Sequence, residues 1–340
     1  MSLIAAGPAT PPVRRPASLS RLPRAPGVYR FADAGGRVLY IGRASCLRDR
    51  VRSYWSGLSD RPRLRPMLRQ VACVQAASCD SEHEAAWLER ILLERQLPRW
   101  NRTAGSQEVA VWIALSTGQG AGLRVVHAKA PAAAGIRYFG PYLGGLRARQ
   151  AVSGLRRILP LALARGRLTS SERDLAGARG VGPADWGTLA ARAAAVLERD
   201  PAAVSWLRGE LTARRDLASA ALAFELAARL QDEIRAVEWV TCEQKAALAE
   251  PADFDVAGWA DGLLVSFGMR AGRLCTWQQR SCAEAAAARL VAATPAAWRE
   301  FAGRNAALAA TLLRSTAEQR GAAQDEAAPL DEKEGHADDA

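Results

Sequence analysis

The sequence predicts an α+β protein, and three observations support that class. Two β-prone runs, Val28 to Phe31 and Val38 to Ile41, flank the turn sequence ADAGGR and predict a hairpin. Several later segments carry apolar residues at the spacing of helices that bury one face. Short strand-like runs return around the turn MRAGR, between Asp253 and Gln279. We therefore predict a small sheet with helices first, followed by a mostly helical region.

The chain has 340 residues, which is enough for two or three domains. We divide it into six segments. They are a disordered Pro/Ala-rich arm (1–20), an α+β domain (21–105), a middle region (106–200), a helical hairpin (201–250), a region of short strands and a helix (251–315), and an acidic disordered tail (316–340).

The charge balance indicates a polyanionic partner. Lys and Arg number 46 against 35 Asp and Glu, which gives a net charge of +11.

The six cysteines form no C-x-x-C pair, a pattern that favours free thiols in a reducing cytoplasm over disulfides or a zinc site. No signal peptide and no apolar stretch of about 18 residues is present. We expect a cytoplasmic protein that does not associate with membranes.

The predicted hairpin brings two phenols together. With an even-numbered loop, Tyr29 opposes Tyr40 and Phe31 opposes Val38, all on one face of the ribbon. Both hydroxyl groups would then emerge side by side. An ordinary aromatic cross-strand pair gives the same pattern, so the spacing alone leaves both interpretations open.

The next segment is predicted to be a helix, which Ser45 can cap. Its buried stripe is formed by Leu47, Val51 and Trp55. Arg50 and Tyr54 share an adjacent face, where a guanidinium beside two phenols can make bidentate contact with a phosphate. Three more arginines flank that face: Arg43 before the helix, and Arg48 and Arg52 towards solvent. The alternative is a solvated basic face.

A third element contains a carboxylate in an apolar setting. Ser81 and Glu84 form a capping box, so a helix begins there and continues to about Gln96, ahead of Pro98. The neighbours of Glu89 one turn away are Ala85, Ala86, Leu92 and Leu93. A carboxylate on such a face costs several kcal/mol unless it is paired or binds a metal. The alternative is a boundary position whose carboxylate reaches water.

Two phenols, an arginine and a semi-buried carboxylate suit phosphodiester hydrolysis. That reaction needs an oriented water, neutralisation of charge on the transition state and relief of charge on the leaving oxygen. A divalent cation held by one carboxylate, with water completing the octahedron, is a usual form of Mg²⁺ binding.

These residues together resemble the GIY-YIG nuclease family, in particular the N-terminal half of the UvrC excision-repair nuclease subunits. Their order and spacing match those of the family. The matching elements are GVY at Gly27 to Tyr29, YIG at Tyr40 to Gly42, the helix with Arg50 and Tyr54, and the segment EHEAAWLERILLERQLPRWN that ends at Asn101. The resemblance implies a small mixed sheet flanked by helices.

The resemblance also implies roles for individual residues. Glu89 is implied as the ligand of Mg²⁺ or Mn²⁺, and Arg50 as the group that stabilises the transition state. Tyr29 and Tyr40 are implied to position or deprotonate the attacking water. The DNA-binding residues are expected to be Arg43, Arg48, Arg52, Tyr54 and Asn101, of which the last two also support the site.

The likeness continues through RYFGPYLGGLRARQAVSGLRRILPL, residues 137–161. In UvrC this segment leads into an iron–sulfur region, but here no cysteine follows between it and the segment LERDP. We therefore expect no iron–sulfur cluster. We also expect the ribonuclease-H-like second nuclease of UvrC to be missing, and therefore a single incision activity.

Residues 213–245 resemble the UVR motif, the helical hairpin through which UvrC docks onto UvrB. Apolar residues recur there at helical spacing. The expected partner-binding residues are Phe224, Ala228 and Ile234. The alternative is a plain helical hairpin that packs on its own chain.

Two positions depart from the family pattern. Arg43 replaces the usual lysine after YIG and stays cationic, so it cannot act as a base. Cys46 replaces the usual asparagine at the start of the next helix.

The function expected is a metal-dependent DNA endonuclease that incises one strand, 3′ to a lesion, in nucleotide excision repair. The alternative is a DNA-binding adaptor that contacts UvrB without cutting.

Overall fold

A computed structural model describes the chain over residues 15–56, 64–102, 108–116, 118, 122–130 and 135–325. Within these ranges, three three-stranded antiparallel sheets alternate with helices. The predicted α+β class is confirmed. No helix in the described part is long and apolar enough to cross a membrane.

The first sheet lies between two layers of helices. Its strands, in the spatial order β2-β1-β3, are β1 (Gly27–Ala32), β2 (Val38–Ala44) and β3 (Cys73–Ser78). One face is covered by α1 (Leu47–Ser56) and α2 (Arg65–Leu68), and the other by α3 (Glu82–Arg95). Both strand pairings are antiparallel, which differs from the mixed sheet that the family resemblance implied.

The register of the β1–β2 hairpin differs from the predicted register by two residues. Tyr29 opposes Gly42, and Phe31 opposes Tyr40. The loop covers residues 33–37, an odd number, and a β-bulge at the end of β1 shifts the pairing. Because a shift of two residues keeps each side chain on its side of the sheet, the two phenols still share one face.

The middle region begins with a sheet that the sequence reading missed. Its strands are β4 (Ala110–Ser116), β5 (Leu123–Val126) and β6 (Ile136–Leu143), in the order β5-β4-β6. Short apolar runs without clear alternation do not distinguish a buried strand from a helix segment. Three helices follow: α4 (Gly145–Ile158), α5 (Ser170–Ala178) and α6 (Trp186–Leu197).

A helical hairpin occupies the predicted place. Helix α7 (Pro201–Ala220) is capped by Asp200, which accepts a hydrogen bond from the Ala203 N–H at 2.8 Å, and α8 (Phe224–Thr241) returns along it. One face of α8 packs on α4. There the Glu233 carboxylate, 1 % exposed, accepts two hydrogen bonds from the Arg157 guanidinium.

The C-terminal part forms a third sheet and two helices: β7 (Phe254–Ala260), β8 (Leu263–Arg270), β9 (Arg273–Ser281), α9 (Glu284–Ala292) and α10 (Arg299–Asp325). Helix α10 continues ten residues into the segment predicted as a disordered tail from residue 316. Residues 326–340 lie outside the described ranges, as do residues 1–14 of the predicted arm.

The rest of that arm is ordered, which corrects the prediction. A 3₁₀ turn, Ala17–Arg21, buries Leu19, and the Ala17 N–H donates to Gln319 Oε1 on α10 at 2.7 Å. The Pro/Ala-rich composition predicted disorder, but burial of Leu19 and the hydrogen bond to Gln319 order this segment.

The C-terminal part packs on the N-terminal domain. Helix α3 shares one apolar core with β7–β9 and α10. Asp80, just before α3, bonds Lys245 Nζ at 2.8 Å and Arg304 on α10 at 2.5 Å. The Asn305 side-chain amide pairs with both backbone groups of Ser78, at 2.7 and 3.1 Å, and thereby covers the edge of β3.

A buried histidine joins α3 to the middle region. His83 Nε2 accepts hydrogen bonds from the Trp87 indole and from the Leu143 backbone N–H, both at 3.1 Å. The imidazole ring lies 4.3 Å from the ring of Trp239 on α8. Burial, together with the charges of Arg199 and Arg147, lowers the His83 pKa from 6.5 to about 3.

We expect His83 to make the fold sensitive to acid. The unfolded chain binds a proton on this residue below pH 6.5, whereas the folded chain does so only near pH 3. The contribution is therefore complete above pH 6.5 and is lost as the pH falls, by about 2 kcal/mol at pH 5. Urea unfolding of wild type and His83→Gln at pH 7 and pH 5 measures it. The free energy of unfolding should fall between pH 7 and pH 5 by a larger amount in wild type than in His83→Gln. The variant His127→Gln, at an exposed site, should lose as much as wild type.

Candidate active site

Three tyrosines meet where the β1–β2 hairpin lies against α1. Their ring centroids lie 5.9–6.2 Å apart. Tyr29 is fully buried, and its hydroxyl lies 2.7 Å from that of Tyr54. Tyr40 is only partly buried. Of the two phenols expected to act on water, Tyr40 is therefore the one that solvent can reach directly.

Two glycines make this arrangement possible because they leave room for neighbouring atoms. A Cβ atom on Gly42 would lie 2.5 Å from the Tyr29 hydroxyl and 2.9 Å from the Tyr40 ring. A Cβ on Gly27 would lie 2.3 Å from the Ala77 carbonyl oxygen. Gly42 of the YIG motif is thus a packing requirement of the tyrosine cluster, whereas Gly27 of the GVY motif lets β1 lie close to β3 and to Leu47 of α1.

The phenols are held in their neutral form. Burial and the nearby phenols of Tyr54 and Tyr40 raise the pKa of Tyr29 well above 10, and burial likewise raises that of Tyr40. The Arg50 guanidinium acts in the opposite direction on both, and it lies 5.4 Å from the Tyr54 ring centre. These phenols can therefore donate hydrogen bonds at neutral pH.

Glu89 lies on α3, on the other side of the sheet from Tyr29 and Tyr54, and pairs with Arg43 of β2. Its side chain is 18 % exposed, and Oε2 lies 3.2 Å from Arg43 Nε. Burial raises the pKa of Glu89, while the guanidinium groups of Arg43 and Arg50 lower it. Its charge is in turn close enough to raise the Tyr40 pKa. Glu89, Arg43, Arg50 and Tyr40 thus share one site.

Asn101 and Arg48, which are expected to bind DNA, have structural contacts. The Asn101 amide accepts from the Ile41 N–H at 3.0 Å and donates to the Ile41 carbonyl at 2.8 Å, so it fixes the edge of β2 beside Gly42. The Arg48 guanidinium donates to the Leu22 carbonyl at 2.6 Å. Arg48 and Arg52 are both half-buried rather than directed towards solvent. Tyr54 is buried, whereas Trp55 lies at the margin of the predicted stripe.

The three expected partner-binding residues are in different environments. Phe224 is 64 % exposed at the tip of the α7–α8 hairpin, and Ala228 is also exposed. Ile234 is buried in the core between α8 and α4, so its side chain is not on the surface. The apolar stripe of α8 serves its own chain at this position, and the spacing alone did not reveal that.

A cleft of about 670 Å³ adjoins the site. Arg43 and Arg50 line one side. A second part of the lining is formed by the start of α4, with Gly144 and Arg147, and by Trp239 of α8. The sequence reading missed this second part, although the Gly144–Gly145 pair before an arginine-rich helix was a visible signal.

Comparison with known proteins identifies the domain around this site. Residues 25–102 match the family model described as the UvrC-like GIY-YIG domain. Residues 25–102 form a UvrC-like GIY-YIG domain. The match includes both tyrosine motifs, Arg50, Glu89 and Asn101, so the expected family resemblance is confirmed.

The similarity extends beyond the GIY-YIG domain. UvrABC system protein C of Moorella thermoacetica is 33% identical over 256 residues, which cover 71% of this chain and 40% of that protein. The proteins of the same name from Corynebacterium aurimucosum and Beutenbergia cavernae are 31% and 34% identical, over 78% and 74% of this chain and 41% and 39% of their own lengths. The chain thus spans about two fifths of these curated relatives.

Proposed function

We propose that the chain is a UvrC-type nuclease of excision repair, which hydrolyses one phosphodiester bond of DNA with the help of Mg²⁺ or Mn²⁺. The observation that carries this proposal is the convergence of the Glu89 carboxylate, the Arg50 guanidinium and the Tyr40 phenol beside an open cleft. By analogy with the family, the nick lies on the 3′ side of a lesion.

The environment of Glu89 fits a divalent cation. Its carboxylate is 18 % exposed, so a hydrated cation could reach it, and Arg43, 3.2 Å away, would then give up part of its contact with the carboxylate. Among the described residues, no group of three or more His, Cys, Asp or Glu side chains could hold a metal. We propose that a cation at Glu89 would have this carboxylate as its protein ligand and water at the remaining positions. When bound, it would neutralise charge on the phosphate and the leaving oxygen.

The chain's own residues would bind and orient the reactants. Arg50 would bind a non-bridging oxygen of the scissile phosphate and stabilise the charge that grows there as water attacks phosphorus. Tyr40, a neutral phenol, would orient the attacking water by hydrogen bonding. Tyr29 holds Tyr54 and is too buried to meet the water directly, so its role would be to position the cluster.

A cleavage assay tests the proposal. The protein is incubated with a lesion-containing duplex, with and without UvrB and with Mg²⁺, Mn²⁺ or chelator, and the products on both strands are mapped. We expect a single nick on the damaged strand that requires the metal. Binding without cleavage in all conditions would instead support the adaptor.

The exposed tip of the hairpin supports UvrB as the partner. Phe224 and Leu222 expose 64 % and 72 % of their surface there, and Leu217 and Leu226 extend the apolar patch. Apolar side chains this exposed are typical of interaction sites. We propose that this tip contacts UvrB.

We expect Phe224→Ala to weaken the complex with UvrB by about 2 kcal/mol or more, because aromatic anchors carry much of the energy of such interfaces. The melting temperature should change little, since Phe224 is exposed. Calorimetric titration of UvrB measures the affinity. Leu175→Ala, on the exposed surface of α5, is the matched control. Equal affinities for wild type and Phe224→Ala would exclude the tip as the docking surface.

A further inference from the structure

The part of the cleft lining outside the GIY-YIG domain carries a cation with no assigned role. Arg147, in the first turn of α4, lines the cleft and is exposed. Within the described residues it makes no ion pair or hydrogen bond. Most exposed arginines of the hairpin differ from it in this respect, for example Arg208, Arg214 and Arg235, which pair with acidic residues. A guanidinium without a counter-ion is available to an anionic ligand.

The fold holds Arg147 at the cleft through Trp239. The Arg147 guanidinium lies 5.6 Å from the Trp239 ring centre, and that ring packs at 4.3 Å on His83 of the GIY-YIG domain. Gly144 precedes α4 with a φ of 143°, and a Cβ there would lie 3.2 Å from the Trp239 ring. Only glycine lets α4 begin so close to Trp239. The stack of His83, Trp239 and Arg147 therefore fixes one wall relative to the other.

The charged residues and the volume of the cleft indicate which kind of ligand it can bind. Three arginines, Arg43, Arg50 and Arg147, line it with two carboxylates, Glu82 and Glu108. With Arg43 directed at Glu89, the two guanidinium groups left for an anion come from different elements, Arg50 from α1 and Arg147 from α4. A volume near 670 Å³ is that of a pocket for a small ligand, which gives space for about one or two nucleotides of a single strand.

We propose that Arg147 binds a DNA phosphate next to the scissile one, so that the cleft holds a short unpaired stretch of the incised strand between the GIY-YIG domain and α4. This inference rests on the proposed nuclease function and extends it. Arg50 would contact the scissile phosphate, and Arg147 would fix the direction in which the strand leaves it. Arg147 is thus a substrate-positioning residue and not part of the chemistry.

The test compares Arg147→Ala with a matched control, Arg192→Ala. Arg192 is also exposed and lies 5.1 Å from a tryptophan ring, that of Trp206, but it is not part of the cleft lining. Binding of a fluorescein-labelled single strand is followed by anisotropy at several salt concentrations, and nicking of the damaged duplex is followed under steady-state conditions.

We expect Arg147→Ala to weaken binding about tenfold, to lower the slope of log K against log salt by about 1, and to raise KM with kcat unchanged. Arg147→Lys should recover most of the affinity and Arg192→Ala should equal wild type. If wild type binds and nicks but Arg147→Ala has the same affinity, salt slope and KM, the inference is wrong and the nuclease proposal stands. If wild type neither binds nor nicks, both are wrong.

Discussion

Glu89→Gln is expected to abolish nicking, with a rate at least about a hundredfold below wild type. The substitution removes the carboxylate proposed to bind the metal, and loss of that ligand should raise the activation barrier by several kcal/mol. Glutamine keeps the volume of the side chain and removes its charge. Arg43, which pairs with Glu89 at 3.2 Å, is exposed enough to be solvated instead. Folding and DNA affinity should therefore change little. Single-turnover cleavage and titration with Mn²⁺ measure the effect.

Glu94→Gln is the control for this experiment. Glu94 lies on the same helix, and its carboxylate pairs with Arg90 at 2.7 Å on a more exposed surface. Removing that charge should leave the nicking rate within about twofold of wild type, since exposed i,i+4 pairs contribute little. A Glu89→Gln rate above about a tenth of wild type would place the metal on another residue.

The elements that the sequence predicted well depend on local signals. The Ser81 hydroxyl accepts a hydrogen bond from the Glu84 N–H at 3.0 Å, as the capping box predicts. The second half of that box differs, because the Glu84 carboxylate accepts from the backbone N–H groups of Asp80 and Lys245. Lys245 follows 161 positions later in the chain. The local sequence pattern therefore predicted where α3 begins, but it could not predict that the Glu84 carboxylate would also bind the distant Lys245 backbone.

The hairpin shows the same limit at the active site. Its turn residues predicted two strands and put Tyr29 and Tyr40 on one face, which the structure confirms. The opposing pairs depend on a bulge and on the space that Gly42 provides for Tyr29, and neither follows from alternation of apolar residues. The observed register differs from the predicted one by two residues, but the same side chains, including Tyr29 and Tyr40, still lie on one face of the hairpin.

The helical region shows why the assignment of surfaces was less accurate. Helix α8 has apolar residues around much of its circumference, so spacing could not separate the side that meets α4 from the side that meets solvent. Ile234 lies on the first side and Phe224 is exposed at the tip. Likewise, α3 buries residues on several sides because β7–β9 and α10 cover it, and these elements are remote in sequence.

We expect Arg157→Ala to lower the free energy of unfolding by about 3–5 kcal/mol, the cost of leaving a buried carboxylate unpaired. Glu233 is 1 % exposed between α8 and α4, and its oxygens accept from Arg157 Nε at 2.7 Å, Arg157 Nη2 at 2.8 Å and the Ser153 hydroxyl at 2.7 Å. Without the guanidinium, only one hydroxyl compensates that charge. Urea unfolding followed by circular dichroism measures the change.

Two further variants separate the buried charge from ordinary loss of a surface contact. Arg208→Ala removes an exposed pair with Glu238 in the same hairpin, 3.7 Å apart, and should cost less than about 1 kcal/mol. The double variant Arg157→Met/Glu233→Leu removes both buried charges and should be much closer to wild type than Arg157→Ala, because no unpaired charge remains. If Arg157→Ala were as mild as Arg208→Ala, water would have to reach Glu233. The contact of α8 with α4 would then be too loose to hold Trp239 and Arg147 at the cleft.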